Sequence, residues 1–457
     1  MLRVQNPVSD HFRKGRISRV VSPLTAKPVV LAMRSVADVN PQSQIPQSPK
    51  RERDLRLDFF RGLAMIVILF AHITDNPWNL WMPGRFGFSD ATEVFVFCSG
   101  IATALAFGAV FTRAGFLIGT ARILYRLWQV YWVHLGIFFV ALFAMLLLNY
   151  SQLFPRDEVG ALNLYPFLRN TGQNFFGLMT LTYVPNYFDV LPMYLVLLAL
   201  VPVMLGLAKI DFRLALLASV ALWVVATTGG LKLPAEYWFP NGSTRGWFFN
   251  PFAWQLLFFT GFALASGWLP KPVIRQEFVI LAVIVVVVSL PFAYYRIIGA
   301  FDDLQAWRRD YWYLYDKTRF GVLRYGYFLA LAYLAWALCG EKGVKLKALK
   351  ERFPKPVGMV VKIGSQSLAV FAASMVLARI LGAVMNAFGY HNLVVFGINL
   401  MGLGLIWLVA VTTSWFKSAS WKTKGKEAAP EAATPEMTKL PLKKLPLKKL
   451  HAAEVKA

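Results

Sequence analysis

Apolar residues along this chain come in long blocks separated by short polar stretches, rather than in the strict alternation of half-buried strands. Ten blocks are long enough to cross a bilayer, because about 20 apolar residues at 1.5 Å rise span a hydrocarbon core of roughly 30 Å. They begin near Phe59, Thr92, Leu124, Phe188, Arg213, Phe252, Phe278, Gly321, Ile363 and Asn392. The pattern predicts an all-α fold: a polytopic membrane helix bundle with about ten transmembrane helices.

The two ends differ from this core. Residues 1–53 are polar, hold seven prolines or glycines and read as a disordered cytoplasmic extension. Residues 417–457 are basic and repeat Leu-Pro-Leu-Lys-Lys at 440–444 and 445–449, where the prolines block a regular helix. They read as a low-complexity cytoplasmic tail that touches lipid headgroups. Residues 54–416 between them form one membrane domain.

Of 457 residues, 57% are hydrophobic and 15% aromatic, which few soluble domains match. A net charge of +24 would suggest nucleic acid in a soluble protein. Its distribution points elsewhere. Both ends and the even-numbered connections carry 35 of the Lys and Arg residues, the odd-numbered connections carry 11, and Arg61 and Arg379 lie inside spans. By the positive-inside rule both termini are cytoplasmic and the basic ends meet anionic lipid, with no nucleic acid implied. Cys98 and Cys339 both sit in apolar spans, so neither a disulfide framework nor a metal site is expected.

Ionisable residues are costly inside lipid, which singles out Arg61, His72, Glu93, His134 and Arg379. Arg61 and His72 are 11 residues apart in the first span. That is three turns within about 20°, so they share one face and lie roughly 16 Å apart. Asp58, one turn before Arg61, can pair with it. Arg61 is either a snorkelling headgroup contact or a functional cation; His72 is either an interfacial cap or a base beside the polar turn Thr74-Asp75-Asn76. Ser89 or Asp90 can cap the second span. Glu93 then lies one turn inside, at a depth close to that of His72, where a carboxylate can orient an imidazole. Ser99-Gly100 permits close helix packing. His134 reads as a hydrogen-bonded bundle residue, and Arg379 as a side chain with a polar partner or in a channel wall.

Arg61-x10-His72 behind Leu57-Asp58-x-x-Arg61-Gly62, followed by Ser89-Asp90-Ala91-x-Glu93-Val94-Phe95-Val96-Phe97-x-Ser99-Gly100, resembles the OpgC family. Those proteins are succinyltransferases for osmoregulated periplasmic glucans, within the wider group of membrane-embedded acyltransferases that use an Arg-x10-His pair. Val190-Leu191-Pro192-Met193-Tyr194, Asn250-Pro251-Phe252-Ala253-Trp254-Gln255, Asp316-Lys317-Thr318 with Arg324, and Gly364-Ser365-Gln366-Ser367 carry the resemblance through the rest of 54–416.

The resemblance implies acyl-CoA, here succinyl-CoA, as a cytoplasmic co-substrate, with no tightly bound cofactor and no metal. The acceptor would be a periplasmic glucan and the location the bacterial inner membrane. His72 would be the general base, with Glu93 or Asp90 orienting it. Arg61, with Asp58 beside it and the lysines of 341–362, would hold coenzyme phosphates. Lys317, Arg324, Trp254, Gln255, Asn250 and Trp312 would contact substrate. The 296–320 connection interleaves cations with Trp307, Trp312 and several tyrosines, which suits an anionic glucan or, alternatively, an interfacial aromatic belt. A transporter or flippase for an anionic lipid or saccharide is the competing class.

Overall fold

The computed structural model describes residues 54–236 and 245–418. The expected amino-terminal extension and nearly all of the basic tail lie outside the described residues. Among the described residues ten helices have 16 residues or more. They are α1 Leu55–His72, α2 Ala91–Ala114, α3 Phe116–Ser151, α4 Val190–Ile210, α5 Phe212–Thr227, α6 Pro251–Ser266, α7 Gln276–Ala293, α8 Val322–Cys339, α9 Ser367–Phe388 and α10 Asn392–Ser418. Each expected apolar run falls on one of them. No strand occurs among the described residues, only isolated bridges at Tyr183–Glu236 and Pro234–Gly246.

Seven of these helices, α2, α3, α4, α7, α8, α9 and α10, are long and apolar enough to cross a membrane. The other three differ for identifiable reasons. α1 carries Arg56, Asp58 and Arg61 in its first two turns. α5 and α6 have 16 residues each, and α5 starts where Asp211 caps the Arg213 N–H. α7 buries only Ala282 and exposes Val283, Ile284 and Val287, the outward apolar surface expected of a lipid-facing helix.

Three boundaries depart from expectation. α3 starts at Phe116, ahead of Leu124, and its 36 residues extend over about 54 Å, longer than a hydrocarbon core. The ninth run is two helices, Pro354–Ser365 and α9, because Gln366 leaves helical geometry between them. α10 continues through Ser418, two residues into the expected tail.

Backbone contact at glycines sets the closest helix pairs. A Cβ on Gly100 of α2 would lie 1.9 Å from the Phe258 carbonyl oxygen, and one on Gly261 of α6 would lie 2.3 Å from that of Phe97. Gly62 of α1 meets the Val360 carbonyl oxygen in the same way (2.0 Å), and Gly364 meets that of Asp58 (1.8 Å). Small residues permit this approach, which dispersion then rewards where lipid offers no hydrophobic drive. Gly100→Val should therefore cost roughly 1–3 kcal/mol by overpacking, read as a lower melting temperature in detergent. Gly108→Val, in the same helix with no atom within 4 Å of the added carbon, should leave the melting temperature nearly unchanged.

Candidate active site

α1 and α9 run side by side in the same direction: Arg61 donates to Ser367 Oγ at one end, and Arg379 Nη1 donates to Thr74 Oγ1 (3.2 Å) at the other. The face of α1 that carries both Arg61 and His72 thus follows α9. Asp58 is buried where α1 meets Pro354–Ser365, and Arg61 Nε is buried with no hydrogen-bond partner.

His72 is the last residue of α1 and partly buried. Its Nδ1 lies 2.7 Å from the Ile68 carbonyl oxygen, which can only accept, so Nδ1 carries a proton and in the neutral ring Nε2 holds the lone pair. The following turn is fixed by Asn76, which exchanges hydrogen bonds with Asn399 of α10 at 2.8 and 3.1 Å and donates to the Phe70 carbonyl. Lys317, Asp90 and Arg379 are the charges that act on the ring.

Asp90 caps α2 through Thr92 N–H, and Glu93 accepts from Asp90 N–H at 2.8 Å, completing a capping box. Each carboxylate also takes a cation from the segment leading into α8: Asp90 pairs with Lys317, and fully buried Glu93 pairs with Arg324 at 2.6 Å. Burial alone would raise the Asp90 carboxyl. Lys317 and Arg324 outweigh that effect and hold it well below the usual carboxylate range. The orienting partner expected from Glu93 or Asp90 is therefore the Ile68 carbonyl, and Asp90 reaches the imidazole through its field alone.

Asn250, Trp254 and Gln255 also need correction as direct substrate contacts. All three are buried and bonded internally. Trp254 Nε1 donates to the Lys317 carbonyl (2.9 Å), Asn250 N–H donates to that of Thr318 (3.2 Å), and Gln255 exchanges two bonds with Ser219. Trp254 and Asn250 thereby fix the backbone that presents Lys317, and Gln255 ties α6 to α5. Trp312 is 45% exposed with the Arg319 guanidinium 4.9 Å from its ring centroid, so it remains open to solvent. His134 is buried with Nε2 unpartnered and its ring edge against Phe188, so the bonded role expected for it does not hold for that nitrogen.

Two residues the sequence did not single out complete the cluster. Tyr187 is half exposed, adopts a left-handed φ of 72°, and sets its ring 5.6 Å from that of His72. Arg379 lies over the same ring at 4.2 Å. Glu158, fully buried at the start of the short helix Glu158–Ala161, lies 3.9 Å from Arg379 and from Arg156. Both residues belong to the long 152–189 connection, where no periodicity marks a functional position.

An apolar, open groove of about 400 Å³ lies between α3 and α4 and is lined by Leu124, Trp128, Tyr131 and Leu195 among others. Its only ionisable lining group is the Tyr131 phenol, whereas charged and titratable groups gather around His72. No metal-binding cluster of His, Cys, Asp and Glu occurs among the described residues.

Long apolar helices around a buried, charged cluster define a membrane protein with a polar site at one end of its bundle. The family model described as OpgC protein matches residues 53–418, and the chain belongs to that family. No curated protein and no solved structure gives a significant match.

The buried ion pair carries a direct test. Removing one partner strands the other charge, at a typical cost of about 3–5 kcal/mol. Glu93→Gln should sharply lower the melting temperature in detergent, and adding Arg324→Met should recover part of the loss. Purely additive losses in this double-mutant cycle would mean that the pair is not coupled.

Proposed function

We propose that this protein is a membrane-embedded O-acyltransferase of the bacterial inner membrane. It moves an acyl group, succinyl by family, from acyl-CoA on the cytoplasmic side to hydroxyls of a periplasmic glucan. In this reading the ten helices cross the membrane with both ends cytoplasmic, in keeping with the 35-to-11 asymmetry of Lys and Arg. Arg61 then faces the cytoplasm and His72 the periplasm. The observation that carries the reading is His72 itself: its tautomer is fixed by Ile68, which leaves a basic Nε2 at the bundle end where Lys317, Asp90 and Arg379 converge.

In the reaction, His72 Nε2 takes the proton as the acceptor O–H bond breaks. The oxygen attacks the thioester carbonyl, the C–S bond breaks, and the imidazolium returns its proton to the departing thiolate. Lys317 is placed to stabilise the oxyanion formed on the way. Arg61, with its unbonded Nε, and the lysines of Val344–Arg352 would grip coenzyme phosphates at the other end.

His72→Ala should lower single-turnover transfer of labelled succinyl groups roughly 10²–10⁴-fold while coenzyme A binding stays near normal. Near-normal turnover in this variant would overturn the assignment. Arg61→Ala should behave in the opposite way, because a phosphate contact exists equally before and during reaction. Donor affinity falls, and transfer at saturating donor is largely preserved. Normal donor binding with a lost chemical step would remove Arg61 from the donor site.

A further inference from the structure

Arg379 is 5% exposed, yet its hydrogen bonds are largely unspent. A guanidinium has five N–H donors. Nη1 donates to Thr74, while Nε and Nη2 make no hydrogen bond among the described residues and keep some exposure, so they remain reachable. The carboxylate it faces stands off: Glu158 Oε2 is 3.9 Å from Nη1, outside hydrogen-bond reach, and neither Glu158 oxygen has a hydrogen-bond partner. Burial raises the Glu158 carboxyl above its usual range against the opposing pull of Arg379 and Arg156, so it is a weakened counter-charge. A nearly buried cation with reachable, unspent donors is suited to an anion. Arg379 also shares the Tyr187 ring with His72, one over its face and the other against it.

We infer that Arg379 binds a terminal carboxylate on the transferred acyl group and so selects dicarboxylic acyl groups over neutral ones of equal length. The inference rests on the acyltransferase reading and deepens it. Burial decides which part of the substrate Arg379 meets. A glucan is bulky and suits half-exposed surfaces such as Tyr187 and Trp312. In the proposed mechanism the coenzyme phosphates stay near Arg61. The acyl chain is the small part that must pass His72 into the bundle. Its far end then reaches the one buried cation beside the base whose donors are unspent.

The test uses full-length protein in detergent and a neutral glucan oligosaccharide as acceptor. It compares succinyl-CoA with butyryl-CoA, which has the same chain length but no carboxylate. Wild type should favour succinyl by roughly 10- to 100-fold in kcat/KM, the range expected for a charge-assisted hydrogen bond. Arg379→Gln should bring the succinyl-to-butyryl ratio of kcat/KM close to one, whatever it does through Tyr187 to the rate common to both donors, and Arg379→Lys should restore part of the ratio. Selectivity is a ratio within one sample, so partial misfolding, which slows both donors alike, cannot imitate this result. Absence of a preference in wild type, or an equal loss of both donors in Arg379→Gln, would overturn the inference and leave acyl transfer standing. A defect that follows the charge of the acceptor rather than that of the acyl group would also overturn it. If wild type transferred neither group, the acyltransferase reading itself would fall.

Discussion

The structure of the site depends on one junction, the capping box of α2 and the two cations it holds. Asp90 and Glu93 close the start of α2 through backbone N–H groups and at the same time neutralise Lys317 and Arg324, which approach from the far side of the sequence. In an apolar surround no isolated charge is tolerated, so the connection before α8 has no freedom to leave the mouth of α2. Trp254 and Asn250 fix the same connection through the carbonyls of Lys317 and Thr318. Everything placed near His72 inherits this registration.

The same constraint shapes the surroundings of His72, the base in the proposed reaction. Nδ1 donates to the Ile68 carbonyl, and among the described residues no carboxylate is hydrogen-bonded to the ring. A carboxylate partner would raise the basicity of His72, but it would also add a charge to a site that already holds Asp90, Glu93, Lys317, Arg324 and Arg379. Asp90 delivers a negative field from its Lys317-bound position instead. The imidazole can then gain and release a proton within one turnover without stranding a partner.

Much of the fold was legible in the sequence because its signals are local. Apolar block length located all ten longer helices, and Ser99-Gly100 foretold the close contact of α2 with α6. Boundaries were less legible where flanking sequence extends or interrupts a run, as at Phe116 and Gln366. Of the candidate site, Arg61, His72, Glu93 and Arg379 stood out in the sequence because they are ionisable residues on apolar helices. Tyr187 and Glu158 did not, because they lie in a connection without periodicity and gain meaning only from contacts with α1 and α9, distant in sequence. Asn250, Trp254 and Gln255 carried a real sequence signal, but a polar residue at a helix start has the same signature whether it caps, braces or binds substrate.

Tyr187 ties these threads together. A non-glycine residue at φ 72° costs free energy that surrounding contacts must offset. Here the neighbouring backbone is held by Asn186, whose N–H donates to the Leu162 carbonyl and whose side chain donates to that of Ala161. The ring itself is held by the Arg379 guanidinium on its face. Strain of this kind persists where a side chain must occupy one particular place, and the place is beside the His72 imidazole with nearly half the residue open to solvent. Tyr187 therefore touches His72, the Arg379 cation and the outside at once. An acyl chain bound at Arg379 and a hydroxyl arriving from solvent would meet across it. The geometry at His72 thus depends on a residue that makes no hydrogen bond to the base.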